Sequence, residues 1–418
     1  MDHFHYQEDR LHCEGVALER IAEEVGTPFY CYSETTLLHH LQVFHRAFAG
    51  RDHIICYSVK ANSNLAVLDA LVSQGAGLDI VSGGELERAR RVGCPGERMV
   101  YSGVGKRADE IQAALEYGVL MFNVESAQEL RRIDAIAGSL GKKAPIALRI
   151  NPDVDPQTHP HISTGMRRNK FGIAYDEALK LYREAARMHH VEVVGLDCHI
   201  GSQLTSLTPF VDALKRVLVL MDAMAREGIH IRYLDLGGGL GIPYDTQKAP
   251  PHPERYAGAL LSELAGRDVT LVLEPGRVIA GNSGVLVTRV EYVKDGAEKR
   301  FVITDGGLND LLRPAFYDAF HGILPATRHF DRDETVVDVV GPICESGDYF
   351  ARDRLMQEFQ EGDLLVVRST GAYGFVMSSN YNSRPRAAEV MVRGDQFQVV
   401  RQRESLEQLF ENERLFPR

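Results

Sequence analysis

Short apolar runs alternate with amphipathic segments through the first two-thirds of the chain. The first run ends in "CYSVK", residues 56–60, and the segment "SNLAVLDALVSQGAG", residues 63–77, comes after it. Apolar residues recur in that segment at helical spacing, which predicts a helix. Asn64 is suited to cap the start of this helix and Gly75 its end. The two segments therefore predict a strand followed by a helix, one βα unit.

Eight apolar runs of this kind share a high content of Val, Ile and Leu. They are the run that ends at Lys60, "LDIVS" (78–82), "MVYSGV" (99–104), "LMFNV" (120–124), "IALRIN" (146–151), "VEVVGLDCHI" (191–200), "IRYLDLG" (231–237) and "VTLVLEPG" (269–276). Near-continuous apolar strands are typical of a parallel sheet that helices cover on both faces. Helical patterns lie between them, such as "ADEIQAALEYG", "YDEALKLYREAARM" and "FVDALKRVLVLMDAMAREG", and an earlier one in "TTLLHHLQVFHRAFAG" completes an outer ring. Eight βα units over roughly 230 residues predict a (β/α)8 barrel.

From about residue 282 the pattern changes to strand-like runs broken by Gly, Asp and Pro, with few helices. Examples are "SGVLVTRVEYVKD", "KRFVITDGG", "ETVVDVVGP", "GDLLVVRSTG" and "AAEVMVRGDQFQVVR". This pattern predicts an all-β domain, either a barrel or a sandwich. The run "TPFYCYS" near the N-terminus is also β-like, and we expect it to join that domain. The expected organisation is an N-terminal segment (1–35), a (β/α)8 barrel (36–280) and a C-terminal β domain (281–418).

Composition and charge exclude several classes of function. The 418 residues are 44% hydrophobic and 25% charged, which is enough material for a large core and two domains. A formal net charge of -11 argues against a general nucleic-acid-binding protein, because such a protein carries a basic face. No apolar stretch approaches the length of a membrane span, and the start lacks the apolar core of a targeting signal. The six cysteines are scattered, as is typical of reduced thiols, so a cytoplasmic protein is expected.

Chemistry in a (β/α)8 barrel takes place at the carboxyl ends of the strands. Lys60 ends the first predicted strand, His199 the sixth and Glu274 the eighth, and the loop "GGGLG", residues 237–241, follows the seventh. Glycine-rich turns after strands seven and eight let backbone N–H groups approach a phosphate. Each signal has an ordinary explanation when taken alone, since a strand-end lysine usually packs its stem and extends its ammonium into water. Together they suggest pyridoxal phosphate bound to a lysine.

The sequence also resembles a known family, the fold-type III pyridoxal phosphate-dependent decarboxylases. The motifs that carry the resemblance span almost the whole chain: "YSVKAN", "GLDIVSGGEL", "HIGSQ", "DLGGGLGIPY", "EPGR", "LLRPAFY", "CESGDYF" and "GAYGFVMSSNYNSRP". Within the family they are most similar to the enzymes that convert meso-2,6-diaminopimelate to L-lysine and CO2, the last step of lysine biosynthesis. The resemblance therefore implies a carboxy-lyase that acts on a small amino acid and uses pyridoxal 5'-phosphate as cofactor.

The resemblance implies a role for each cofactor-binding residue. Lys60 carries the cofactor covalently, and its amine must be neutral to react, a form that partial desolvation favours. His199 stacks on the pyridine ring, and Glu274 keeps the ring nitrogen protonated so that the ring withdraws electrons. The related alanine racemases place an arginine there instead, so Glu274 favours decarboxylation. The other residues implied around the cofactor are Ser202, Gly238, Gly239, Pro275, Gly276, Arg277 and Tyr373.

The resemblance places most of the substrate-binding residues in the β domain. Diaminopimelate ends in a second amino-acid head, so its site needs cations for the carboxylates as well as one anion. Arg277 and Arg313 are the implied cations, and Tyr373 is implied to contact substrate as well as cofactor. Tyr317 lies four residues past Arg313 and shares a face with it if "RPAFY" is a helical turn begun by Pro314.

Two neighbouring residues of the motif "CESGD" complete the implied site. Glu345 is the implied anion for the distal ammonium, and Cys344 is the implied acid that reprotonates Cα after CO2 leaves. In this family both residues reach the active site of the partner subunit. A homodimer with shared active sites is therefore implied.

Two other interpretations stay open from the sequence alone. One is a decarboxylase of polyamine synthesis, which acts on ornithine, lysine or arginine; Arg313 and Glu345 argue against it. The other is a catalytically inactive regulator on the same scaffold, a class that tends to lose the cofactor contacts that are intact here. The segment "HPHIS", residues 159–163, resembles a metal-binding pair but has no third ligand at a suitable spacing. We therefore predict no metal site.

Overall fold

A computed structural model describes residues 2–155, 169–244 and 249–418. Its described residues divide into two compact units. One unit contains the residues up to 37, Tyr244 and the residues from 280 onwards, and the other contains the residues between them. Each unit has a hydrophobic core of its own. We call them the β unit and the barrel unit and describe each by itself.

The barrel unit is a closed ring of eight parallel strands. The strands of this unit are β5 (His53–Ser58), β6 (Gly77–Ile80), β7 (Met99–Tyr101), β8 (Met121–Val124), β9 (Ala144–Asn151), the short β10 (Ile173–Ala174) beside β9, β11 (Val191–Asp197), β12 (Tyr233–Asp235) and β13 (Thr270–Leu273). The ring closes because β13 pairs with β5 and β8 pairs with β9. Each of the eight apolar runs in the sequence supplies one strand of the ring, so the predicted (β/α)8 barrel is confirmed.

One helix precedes the first strand of the ring, and the others follow its strands. They are α2 (Glu34–Ala47), α3 (Leu65–Ser73), α4 (Gly83–Arg91), α5 (Ala108–Tyr117), α6 (Ala127–Ser139), α7 (Tyr175–Ala185), α8 (Thr208–Arg226), α9 (Pro253–Glu263) and the short α10 (Arg277–Ala280). The predicted cap of α3 is confirmed, because the Asn64 side chain accepts a hydrogen bond from the N–H of Ala66 at 2.9 Å. Ser82 and Ser126 cap α4 and α6 in the same way. Short polar residues therefore fix where the chain turns from strand to helix.

The interior of the barrel changes from apolar to polar along the strands. Small and medium apolar side chains from several strands form one packed cluster: Cys56, Val100, Met121, Ala147, Val194 and Val272. Towards the carboxyl ends the buried side chains are polar: Ser58, Asp79, Asn123, Arg149, Asp197 and Asp235. A polar layer that is buried at this end of a barrel marks the side where chemistry takes place.

The β unit begins with the N-terminal residues. These form β1 (Phe4–Gln7), β2 (Arg10–Cys13), β3 (Val16–Ala17), α1 (Leu18–Val25) and β4 (Phe29–Ser33). The later elements are β14 (Gly284–Asp295), β15 (Arg300–Thr304), α11 (Arg313–Tyr317), β16 (Ile323–Pro325), β17 (Glu334–Val340), β18 (Tyr349–Gln357), β19 (Leu364–Val367), β20 (Ala388–Arg393) and β21 (Gln396–Arg401). Strand β4 lies between β14 and β20 in a mixed sheet. The run "TPFYCYS" therefore joins the β unit as expected.

Two parts of the β unit were not predicted. Strand β18 has the sequence "YFARDRLMQ", in which charged residues interrupt the apolar pattern, and β1 to β3 are short strands of a separate antiparallel sheet. The domain boundaries after residues 35 and 280 stay predictions. Among the described residues, no helix combines the length and the apolar composition that a membrane crossing requires.

Candidate active site

Lys60 lies in a single turn of 3-10 helix, Val59–Ala61, that follows β5. Its Nζ is 2.5 Å from Oδ2 of Asp79, a fully buried carboxylate on β6, and the two groups form an ion pair. The lysine side chain is 37% exposed, so a ligand can reach its amine. Desolvation, which was expected to favour the neutral amine, is therefore opposed by the neighbouring carboxylate, which favours the ammonium form.

Ser58 joins the lysine turn to the segment that follows β13. Its backbone N–H donates to the carbonyl oxygen of Pro275 at 3.2 Å. Its hydroxyl lies 2.9 Å from Oδ2 of Asp79 and 3.0 Å from the carbonyl oxygen of Glu274. A Cβ on Gly276 would lie 3.0 Å from the Cβ of Ser58, so the glycine lets the two segments pack closely. The predicted lysine and the predicted carboxylate thus belong to one end of the barrel.

The Glu274 side chain is buried at this end. Its Oε1 lies 3.2 Å from the hydroxyl of Ser102 and 3.2 Å from Nδ2 of Asn123, and the same Nδ2 lies 3.0 Å from Oδ2 of Asp235. Burial and then the charge of Asp79 raise the pKa of Glu274 to about 7. Ionised Glu274 is therefore costly in the protein alone, and a cation beside it would stabilise that form.

His199 lies two residues past the end of β11 and has a neutral ring. The backbone N–H of Gly238 donates to its Nδ1 at 3.1 Å, which places the ring proton on Nε2. Burial and the nearby cations Arg149 and Lys60 hold the pKa of His199 well below its usual value. A Cβ on Gly237 would lie 2.5 Å from Nδ1, so this contact requires a glycine. An uncharged flat ring at this position is suited to stacking.

The glycine loop after β12 exposes backbone rather than side chains. A Cβ on Gly238 would clash with the backbone at the end of β13, and a Cβ on Gly239 would clash with the carbonyl of Gly201. The backbone φ of Gly239 is +115°, which also favours glycine. The next residue after Gly201 is Ser202, whose hydroxyl accepts from Nη2 of the buried Arg277 at 3.0 Å. Bare backbone, a hydroxyl and a guanidinium are groups that bind phosphate.

Buried carboxyl groups outnumber cations in the described part of this layer. The carboxyl groups are Glu125, Asp79, Asp197, Asp235 and Glu274, and the cations are Lys60, Arg149 and Arg277. Burial raises the pKa of Asp197 and of Asp235 well above the usual range for aspartate. Within the described residues, Oδ1 of Asp79 and Oδ1 of Asp197 have no hydrogen-bond partner. An excess of buried acceptors fits a ligand that carries a protonated ring nitrogen, as pyridoxal phosphate does.

Arg313 is held between aromatic rings in the β unit. Its guanidinium lies 5.0 Å from the ring centre of Tyr244 and 5.8 Å from that of Tyr317. Its Nε donates to Nε2 of His321 at 3.3 Å, and the other ring nitrogen of His321 lies 2.8 Å from the carbonyl oxygen of Arg368. The segment "RPAFY" is the helix α11, so the predicted shared face of Arg313 and Tyr317 is confirmed. These contacts fix the direction of the guanidinium.

Cys344 and Glu345 lie on an exposed loop between β17 and β18. The N–H of Cys344 donates to Oδ1 of Asn382 at 2.8 Å, and the buried carboxylate of Asp348 accepts from a backbone N–H of the same loop at 2.6 Å. A hydrogen bond to Glu345 raises the pKa of Tyr381. The other five cysteines are buried. The loop therefore has a defined shape and presents a thiol and a carboxylate outward.

Tyr373, the last predicted cofactor residue, has a strained backbone. Its φ is +57°, a conformation that bulky side chains rarely adopt and that recurs at functional sites. A Cβ on the neighbouring Gly374 would clash with the carbonyl oxygen of Thr370, so the turn is tightly packed. The segment considered for metal binding, residues 159–163, lies outside the described residues.

The predicted site residues fall into two groups. The barrel unit brings together Lys60, His199, Ser202, Gly238, Gly239, Glu274, Pro275, Gly276 and Arg277. The β unit contains Arg313, Tyr317, Cys344, Glu345 and Tyr373. Their individual roles stay predictions.

Several polar residues that surround the predicted ones were not identified from the sequence. They are Asp79, Ser102, Asn123, Arg149, Asp235, Tyr244, His321 and Asn382. Four of them stand inside motifs that were recognised: Asp79 in "GLDIVSGGEL", Asp235 and Tyr244 in "DLGGGLGIPY", and Asn382 in "GAYGFVMSSNYNSRP". A polar residue near the carboxyl end of an otherwise apolar barrel strand is the signal that could have identified those of the barrel unit.

Known proteins resemble this chain over its full length. Residues 34–281 match the family model described as the pyridoxal binding domain of pyridoxal-dependent decarboxylases. A diaminopimelate decarboxylase of Pseudomonas aeruginosa is 55% identical over 417 residues, which is 100% of both chains. One of Vibrio cholerae is 53% identical, again over 100% of both chains.

A solved structure shows the same likeness in three dimensions. The crystal structure of diaminopimelate decarboxylase from Helicobacter pylori complexed with L-lysine superposes with a TM-score of 0.92 at 43% sequence identity. The match covers 95% of this chain and 99% of that one. The chain belongs to the pyridoxal-dependent decarboxylases, and within them to the diaminopimelate decarboxylase family.

Proposed function

We propose that this chain decarboxylates meso-2,6-diaminopimelate to L-lysine and CO2 with pyridoxal 5'-phosphate as cofactor. The observation that carries the proposal is the carboxyl end of the barrel, where the Lys60 amine and the buried Glu274 carboxyl group follow the adjacent strands β5 and β13. Membership in the family supports it, because full-length relatives at more than half identity carry this activity in their names.

Bound pyridoxal phosphate supplies a conjugated ring that accepts the electron pair released when a carboxylate leaves Cα. Glu274 is proposed to bind the protonated ring nitrogen. Its burial and its fixed hydrogen bonds to Ser102 and Asn123 suit this task, because a preorganised carboxylate stabilises positive charge without having to reorient. The neutral ring of His199 is proposed to stack on the cofactor and to exclude water from one of its faces.

Lys60 is proposed to carry the cofactor through its Nζ. The ion pair with Asp79 holds the amine at the end of β5, and exposure of the side chain lets a ligand approach it. Arg277 and Ser202 are proposed to bind the phosphate together with Gly238, Gly239, Pro275 and Gly276, whose backbone is not covered by side chains. Tyr373 is proposed as a further contact to cofactor and substrate.

Substrate recognition is assigned to charged residues that match the second amino-acid head. Arg313 and Arg277 are proposed to bind carboxylates, and the aromatic rings beside Arg313 keep its guanidinium from turning away. Tyr317 shares that face and is proposed to contact the same group. Glu345 is proposed to bind the distal ammonium.

Cys344 is proposed to reprotonate Cα after CO2 has left. Its thiol and the carboxylate of Glu345 point outward on one exposed loop, which supports the proposal that they serve the active site of a second copy of the chain. The proposed assembly is therefore a homodimer with shared active sites.

A substrate panel read by CO2 release tests the proposed function. The purified protein is assayed on meso-diaminopimelate, ornithine, lysine and arginine, each with and without added pyridoxal phosphate. We expect CO2 from diaminopimelate with L-lysine as product, and at least roughly a hundredfold lower kcat/KM for the other three, since they lack the second carboxylate. Ornithine turnover that equals diaminopimelate turnover would reinstate the polyamine-type alternative.

Subunit complementation tests the proposed dimer. Lys60→Ala and Cys344→Ala are each expected to be inactive, because each lacks one group of the site. After the two are mixed under conditions that exchange subunits, half of the sites in the mixed dimers are intact, so about a quarter of the wild-type activity should return. No recovery, with subunit exchange verified by mass spectrometry, would contradict the shared site.

A further inference from the structure

The carboxyl group of Glu274 is held by side chains from three other strands. Its Oε1 is 3.2 Å from the hydroxyl of Ser102, which follows β7, and 3.2 Å from Nδ2 of Asn123, which lies on β8. The carboxyl group of Asp235, the last residue of β12, accepts from the same Nδ2 at 3.0 Å and so lies beside that of Glu274. Asn123 is positioned in turn by the buried Lys106, whose Nζ donates to its carbonyl oxygen at 2.8 Å. Glu274 therefore rests on a buried framework rather than on solvent.

Asp235 is itself fixed at both carboxyl oxygens. Its Oδ1 accepts the N–H of Gly237 at 2.9 Å, and its Oδ2 accepts Nδ2 of Asn123 at 3.0 Å. The carbonyl oxygen of Gly237 accepts the backbone N–H of Glu274 at 2.8 Å. The ends of β12 and β13 are thus connected twice, once through the backbone and once through the Asn123 amide to which both carboxyl groups bind.

Two buried carboxyl groups that accept from one amide nitrogen repel each other when both are ionised, and one proton between them removes that repulsion. Burial, and then the charge of Glu274, raise the pKa of Asp235 well above the usual range. The pKa of Glu274 is raised to about 7, by burial first. Both shifts favour a proton retained by the pair, and through that proton Asp235 can donate to Glu274.

Groups of both signs face this pair from the surrounding elements. They are Cys56 on β5 and Lys60 after it, Asp79 on β6, Arg149 on β9, Asp197 and Cys198 at the end of β11, and Tyr256 on α9. The two cations favour ionisation of the pair, and the two carboxylates oppose it. Because these influences act in opposite directions, burial and the mutual repulsion of the pair decide how many protons it binds.

We propose that Asp235 is a positioning residue for Glu274: by sharing one proton and one asparagine donor with it, Asp235 fixes the direction of the Glu274 carboxyl group. This rests on the proposed function, which assigns that carboxyl group to the ring nitrogen of pyridoxal phosphate. Asp235 acts through Glu274 and makes no contact of its own with the reacting atoms. Its removal would release Glu274 from β12 while leaving the lysine and the phosphate-binding residues in place.

A double-mutant cycle separates this role from simple packing. The variants are Glu274→Gln, Asp235→Ala and the combination of both. The apoprotein of each is titrated with pyridoxal phosphate to obtain the cofactor dissociation constant, and kcat is measured on the holoenzyme. As a matched control, the cycle is repeated with Asp310→Asn, because Asp310 is a buried carboxyl group whose described contacts lie within the β unit.

If Asp235 acts through Glu274, the two changes are not additive. Asp235→Ala should lower kcat up to roughly a hundredfold and weaken cofactor binding, as misplacement of a catalytic group does. In the Glu274→Gln background the same change should alter either quantity by less than about threefold. The factor produced by Asp310→Asn should be the same in both backgrounds.

Asp235→Asn provides a second test that does not depend on Asp235→Ala folding. An asparagine still donates to Glu274, but it cannot lose its proton as the pH rises. As the pH rises above neutrality the wild-type pair loses its shared proton, the two carboxylates repel, and cofactor affinity should fall more steeply than in Asp235→Asn. The ratio of the two dissociation constants cancels the ionisation of the cofactor itself.

The outcomes distinguish the inference from the proposal on which it rests. Normal cofactor affinity and turnover in Glu274→Gln would refute the role of Glu274 itself. Impaired Glu274→Gln combined with additive effects of Asp235→Ala would refute only the positioning role of Asp235. Parallel pH profiles for wild type and Asp235→Asn would likewise contradict the shared proton.

Discussion

The barrel unit and the β unit hold their candidate functional groups in different ways. At the end of the barrel, Lys60 is paired with Asp79 and Glu274 with a buried network, so the groups are fixed by neighbouring strands. In the β unit, Cys344 and Glu345 lie on an exposed loop whose backbone N–H groups donate to the side chains of Asp348 and Asn382. The first arrangement suits a cofactor that stays bound, and the second suits groups that serve another chain.

The difference also predicts how the two regions respond to mutation. A charge removed from the barrel leaves its buried partner uncompensated, so both stability and cofactor binding should suffer. A charge removed from the exposed loop leaves solvated neighbours, so stability should change little. Arg313 lies between these cases, since it is buried and the ring of Tyr244 lies 5.0 Å from its guanidinium.

The largest effect is expected from Lys60→Ala. Loss of the amine removes the attachment of the cofactor, so turnover should fall by at least roughly a thousandfold. The melting temperature should also fall, because the fully buried Asp79 loses its ion pair. The measurement is CO2 release together with thermal unfolding. Lys215→Ala is the control, since Lys215 is an exposed lysine that pairs with Glu263 at 3.4 Å. A Lys60→Ala enzyme as active as this control would contradict the role proposed for Lys60.

A smaller effect, confined to substrate binding, is expected from Arg313→Ala. Loss of a charged hydrogen-bond donor should raise KM for diaminopimelate roughly tenfold to a hundredfold while kcat changes little. Cofactor affinity should not change, which separates this variant from those in the barrel. Arg352, an exposed residue whose guanidinium lies 3.8 Å from the ring centre of Tyr349, provides the matched control Arg352→Ala. Equal KM values for the two variants would remove Arg313 from the substrate site.

The smallest effect concerns the pH dependence of stability in the apoprotein. Burial raises the pKa of Glu274 in the barrel unit, and of Asp310 in the β unit, to about 7. Because the folded protein binds these protons more tightly than the unfolded chain does, stability should fall as the pH rises from about 4 to about 7. Each group should contribute on the order of 1 kcal/mol. Thermal unfolding of the apoprotein as a function of pH measures the effect.

Two variants and the bound cofactor show how much of that pH dependence each unit causes. Glu274→Gln and Asp310→Asn should each remove part of the loss of stability. Bound pyridoxal phosphate should remove only the part that belongs to Glu274, because a cationic ring nitrogen favours its ionised form. A holoprotein whose pH dependence equals that of the apoprotein would contradict the assignment of Glu274.

The barrel was predictable from the sequence because its signal is local. Each strand is a continuous apolar run, and Lys60, His199 and Glu274 stand within two residues of the strand ends. Once the strands are placed in a barrel, these side chains must share one end of it. Strand β18 escaped prediction because its charged residues break the apolar pattern and its pairing with β17 decides its structure.

The polar framework of the site was not predictable in the same way. The pairing of Lys60 with Asp79, and of Glu274 with Asp235 and Asn123, depends on the register between strands that are far apart in the sequence. Likewise, Asn382 binds the backbone of Cys344 across 38 positions of the chain. Sequence patterns identify polar residues near strand ends but do not specify which of them meet.

Borohydride reduction of the holoenzyme followed by peptide mass spectrometry tests most directly whether Lys60 carries the cofactor. Reduction fixes pyridoxal phosphate to the lysine that carries it. We expect one modified peptide, which contains Lys60, from the wild-type enzyme. We expect no modified peptide from Lys60→Ala, because this variant lacks the amine. Cofactor attached to a different lysine in an active enzyme would contradict the role proposed for Lys60.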